Sequence, residues 1–67
     1  MNKNYIYKYY SLKAKRDYHK RMDAIISSQL NNETDPDIKK RLSNVRSHHR
    51  RCYRKYEAMA ENIFSNM

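Results

Sequence analysis

The sequence predicts an all-α chain folded as a two-helix antiparallel hairpin with coiled-coil-like packing. Three observations carry that class. The 67 residues include no Gly and one Pro, and Gly supplies the positive φ values on which tight β-hairpin turns depend. In the second half of the chain, apolar and semi-polar residues recur at alternating spacings of four and three, the period of a helical seam. Between the halves lies "NNETDPD", the densest cluster of turn and cap residues in the chain.

The first helix is expected over about 4–30. Ala14, Tyr18, Met22 and Ile25 follow a helical stripe, with Ile26 and Leu30 beside it and Tyr7 extending it backward. The stretch Tyr5–Tyr10, "YIYKYY", has a β-type composition. No second strand is available to pair with it, so helix is the better assignment. An acidic turn is expected over 31–36. Asn31 and Asn32 are suited to closing the first helix, because Asn tolerates the left-handed conformation there. Asp35 reads as the N-cap of the second helix, Pro36 as its first residue, and Asp37 as a negative charge near its positive end.

The second helix is expected over about 36–65. Its seam is Ile38, Leu42, Val45, His49, Cys52, Tyr56, Met59 and Ile63, widened by Ala60 and Phe64. Folding the arms about residues 33–34 sets Leu42 against Ile25, Val45 against Met22, His49 against Tyr18, and Cys52 against Ala14 and Lys15. The whole chain, 1–67, reads as one helical-hairpin domain. Two helices alone enclose little core, and domains this short bury only about 60% of their unfolded surface. One cysteine permits no internal disulfide. Completion by dimerisation into a four-helix bundle, or by a helical protein partner, is therefore expected. The assembly residues are Tyr18, Met22, Ile25, Ile26, Leu42, Val45, His49, Cys52, Tyr56, Met59 and Ile63.

The formal net charge is +8. Residues 1–31 hold seven Lys/Arg and two acids, and residues 38–67 hold eight and two, on either side of Glu33, Asp35 and Asp37. Such a chain is attracted to polyanions or acidic protein surfaces. Ile38–Tyr56 contains no acid, and Lys40, Arg50, Arg51 and Arg54 are expected on the face away from the seam. They are the candidate nucleic-acid contacts, with Tyr5, Tyr7, Tyr9 and Tyr10 as possible stacking platforms for single-stranded bases. No helix-turn-helix or zinc-finger pattern assigns base-reading residues. AT-rich genomes encode Tyr, Lys and Asn preferentially, so tyrosine abundance alone says little of function; a basic nucleic-acid-binding protein, such as a phage or plasmid regulator, is the alternative reading. No apolar run reaches the ~18 residues of a membrane span. A lone cysteine fits a reducing compartment, so cytoplasm is expected.

"SHHRRCYRKYE", Ser47–Glu57, collects two His, the only Cys and two Tyr. His48 and Cys52 lie one turn apart, and His19 falls opposite His48 in the hairpin. These three are weak metal candidates, because structural zinc takes four ligands and the first arm offers one His. No metal, cofactor or small-molecule substrate is expected. A Cys–His nucleophile pair lacks a cleft or oxyanion hole in this class, so a non-enzymatic role is expected.

Tyr53 and Glu57 form a Tyr-x-x-x-Glu pattern. With its size and hairpin shape, the chain resembles the small helical-hairpin proteins of type VII secretion. That resemblance implies pairing with another hairpin or with toxin helices. The chain departs from the class at the turn, where NNETDPD replaces a Trp-x-Gly motif. The function expected from the residues themselves is a small adapter, inhibitor or accessory subunit that self-associates or docks on a helical partner.

Overall fold

The computed structural model of the chain describes residues 3–66. Helix α1 spans Lys3–Asn32 and helix α2 spans Pro36–Ser65. Only residues 33–35 separate them, so α2 must turn back along α1, and side chains touch across the pair from Tyr9–Phe64 to Asp23–Arg50. The result is an all-α antiparallel hairpin 52 Å long and 13 Å by 12 Å across. YIYKYY is helical throughout.

The connection is closed by carboxylates. Glu33 Oε1 accepts from the backbone N–H groups of Thr34 and Asp35 at 3.0 and 2.9 Å. Asp35 is extended, with φ −76° and ψ 121°, and its Oδ1 accepts from Asp37 N–H at 2.9 Å and Ile38 N–H at 3.4 Å. Two N–H groups that α2 cannot satisfy internally are thereby paired, and Pro36 takes a position that needs no donor.

Asn31 and Asn32 do not close α1 in the expected way. The helix runs through both, and among the described residues no φ is positive. The chain leaves α1 through Glu33, whose N–H reaches back to the Leu30 carbonyl at 3.3 Å, so a left-handed residue is not needed.

Half of the expected α2 seam, Leu42, His49, Tyr56 and Ile63, faces α1 together with Ala60, while Ile38, Val45 and Met59 stay exposed. On α1 the row facing α2 is Tyr9, Leu12, Arg16, His19, Asp23, Ile26 and Leu30. On α2 it is Leu42, Arg46, His49, Tyr53, Tyr56, Ala60 and Ile63. All of these are buried or half-buried. Among the described residues, Leu12, Ile26 and Ala60 are the buried apolar side chains, and His49 is the buried polar one. Ala14, Tyr18 and Ile25 on α1, and Ile38, Val45 and Met59 on α2, remain exposed. The expected layers Leu42–Ile25, Val45–Met22 and Cys52–Ala14 are therefore corrected. The reason is geometric. An apolar stripe wider than one row offers two heptad phases, and a single neighbouring helix covers only one of them.

Candidate protein interface

The two long sides of the hairpin differ in chemistry. One side is closed by charge. Arg50 Nε donates to both carboxylate oxygens of Asp23, at 3.0 and 3.1 Å. Ser27 Oγ donates to the same Asp23 at 3.4 Å. Arg16 pairs with Asp17 at 2.8 Å and approaches Glu57 across the helices at 3.8 Å. Toward the open end, the Tyr9 ring packs on Phe64, with centroids 5.8 Å apart, and beneath Lys13.

The other side is open and apolar. Ile38, Val45, Cys52 and Met59 recur every seven residues, or two turns of a heptad helix, so they form one straight edge of α2. Tyr18, Met22 and Ile25 lie on the matching flank of α1. The cross-helix pairs set Ile25 level with Val45 and Tyr18 level with Cys52, since His19 meets His49 between them. All of these except Met22 and Cys52 are exposed, and those two are half-buried.

Between the sides lies a histidine cluster. His19 Nδ1 and His49 Nδ1 are 2.7 Å apart, a hydrogen bond in which one ring donates and the other accepts. Tyr56 stacks on His19 at 5.7 Å, and Tyr18 meets His49 edge-on at 6.2 Å. Burial, then the nearby His49 and His48, push the His19 pKa below its ordinary value, because a charge there loses water and meets like charge.

The expected assembly residues thus divide. Ile26 and His49 are buried inside the hairpin, and Met22, Leu42, Cys52, Tyr56 and Ile63 are half-buried. Tyr18, Ile25, Val45 and Met59 are exposed, and the Tyr18 ring still meets His49 across the hairpin. Of the basic candidates, Lys40, Arg51 and Arg54 are exposed on α2. Arg50 is corrected: it flanks the seam and is held by Asp23. Tyr9 is half-buried in packing, whereas Tyr5, Tyr7 and Tyr10 stay exposed.

Of the metal candidates, His48 Nε2 and Cys52 Sγ approach to 3.6 Å, while His19 bonds to His49 instead of to His48. Among the described residues, no group of three or more His, Cys, Asp or Glu is placed to hold a metal ion. Also among them, no helix is long and apolar enough to cross a membrane.

Sequence reasoning missed Arg16, Asp23, Arg46 and Glu57 as seam-lining residues. A usable signal existed. Acids are scarce in this chain, so Asp23 and Glu57, each able to reach an Arg across the hairpin, were candidates for pairing rather than for solvent. Arg46 offered no such signal, and its Nε is buried without a partner. No family model, curated protein or solved structure matches the chain.

Proposed function

We propose that this protein is a small non-enzymatic interaction module, an adapter, inhibitor or accessory subunit, whose open edge is covered by helices of another chain. One observation carries the reading. Ile38, Val45 and Met59, joined by Tyr18 and Ile25, are large apolar side chains aligned along one side of the hairpin and left exposed by it. Scattered exposed apolar residues are ordinary on a protein surface, but a contiguous row of them is a mark of interaction sites. A straight row at heptad spacing suits an amphipathic helix, which binds through anchors at i, i+3, i+4 and i+7.

The test is sedimentation of the chain alone across micromolar concentrations and with added amphipathic helical peptides. The expected result is a complex, with itself or with a peptide, that Val45→Glu disrupts while helix content stays unchanged. A chain that remains monomeric and takes up no helix contradicts the reading. The basic outer face of α2, with Lys40, Arg51 and Arg54 exposed, supports nucleic-acid binding as the second reading. That binding weakens steeply with salt and is indifferent to Val45→Glu.

A further inference from the structure

The charged side chains beside the Val45–Met59 part of the open edge are basic, and Glu33 lines a groove with Ile38 and Leu42 at its turn end. Lys15 Nζ from α1 and Lys55 Nζ from α2 converge on the Tyr56 ring, 5.7 and 5.8 Å from its centroid. Tyr56 lies between Cys52 and Met59 in sequence, so this pair of ammonium groups sits beside the apolar row. Arg41 is exposed one position from Leu42, on the flank of α2 that carries Val45 and Cys52. The other acids lie elsewhere. Asp17 is held by Arg16, Asp23 by Arg50, and Glu57 approaches Arg16. Glu61 lines a shallow groove with Lys13 and Arg16 on the closed side. Glu33 and Asp35 are used by the turn, with Asp37 in the first turn of α2.

We infer that the open edge docks an acidic amphipathic helix of a different protein, by laying the apolar row Val45–Cys52–Met59 against that helix between Lys15 and Lys55. This inference rests on the reading of the hairpin as an interaction module and specifies its partner. A second copy of the chain is disfavoured as occupant. Face to face, two such edges crowd Lys15, Arg41 and Lys55 of both copies, with Glu33 at the turn end as the acid beside the edge, and like-charge juxtaposition selects against a pairing. A nucleic-acid duplex would satisfy the lysines but presents phosphates, not an apolar face, to Val45 and Met59. An acidic amphipathic helix satisfies both. The edge from Ile38 to Met59 matches a helix of about 30 Å at ~1.5 Å per residue.

The test uses a fluorescent peptide of about three heptads, with Leu and Ile at the a and d positions and Glu at e and g, and its counterpart with Lys at e and g. Fluorescence anisotropy should show the Glu peptide binding at least about tenfold more tightly than the Lys peptide. Val45→Glu should weaken the Glu peptide by about tenfold or more. Lys15→Glu combined with Lys55→Glu, both at exposed positions, should reverse the preference while leaving helix content intact. Equal binding of the two peptides, or a preference that survives the charge reversal, overturns the inference. So does displacement of the Glu peptide by an oligonucleotide that binds wild type and Val45→Glu alike. A dimer of the chain alone that Val45→Glu dissolves also overturns it, while leaving the interaction reading standing. The absence of any association contradicts both.

Discussion

Replacing Ile26 by alanine is expected to lower the stability of the hairpin by about 3 kcal/mol, whereas the same replacement at Ile25 should cost less than about 1 kcal/mol. The two residues are adjacent and chemically identical. Ile26 is 4% exposed and lies against α2, and Ile25 is 45% exposed on the open edge. Truncating a buried Ile removes the transfer free energy of its methyl and methylene groups and leaves a cavity that a two-helix unit fills only by sliding one helix on the other. About 3 kcal/mol is more than a hundredfold in the folding equilibrium, a large fraction of what so small a domain possesses. Urea unfolding followed by helix circular dichroism checks the pair of variants. Equal losses at both positions would contradict the assigned phase of the seam. The converse is expected for partner binding, which Ile25→Ala should weaken.

Mild acid should also destabilise the hairpin. The His19 pKa is depressed in the folded chain, first by burial and then by the nearby His49 and His48. A His with a depressed folded pKa binds more protons when unfolded. Its contribution is therefore intact above the unfolded value of about 6.5 and is lost progressively as the pH falls below it, down to the folded pKa. The geometry agrees in sign. At 2.7 Å the Nδ1–Nδ1 contact holds one proton, and protonating both rings places two N–H groups head to head. Tyr18 and Tyr56 offer no carboxylate to absorb that charge, Lys15 beside Tyr56 adds to it, and Asp23 is already committed to Arg50. The thermal midpoint should fall between pH 7 and pH 5, and His19→Gln should flatten that fall. An unchanged pH slope in His19→Gln would contradict the assignment.

Much of the fold was legible in the sequence because its signals are local. The absence of Gly argued against a β-rich fold, and Asp35-Pro36-Asp37 marked the start of α2, since capping needs only adjacent residues. The seam was legible only in part: Leu42, His49, Tyr56 and Ile63 face α1 as their spacing implies, but Ile38, Val45 and Met59 stay exposed while Arg16, His19, Asp23 and Arg46 line the contact. These polar residues are tolerated because most of them pair: Asp23 with Arg50, His19 with His49, Arg16 with Asp17 and Glu57. Such pairing depends on which residues meet across 27 or 30 positions of chain, and no local pattern reports it. The displaced apolar row became the open edge, so the missed part of the seam and the candidate interface are one fact.

Cys52 stands in the middle of that edge and is the only cysteine in the chain. Its thiol therefore reports directly on whether the edge is covered. The most direct measurement is the rate of Cys52 modification by a maleimide, with and without the acidic amphipathic peptide. Protection of roughly tenfold is expected at a peptide concentration about ten times its Kd. A modification rate unchanged by bound peptide would place the contact elsewhere on the hairpin and contradict the account.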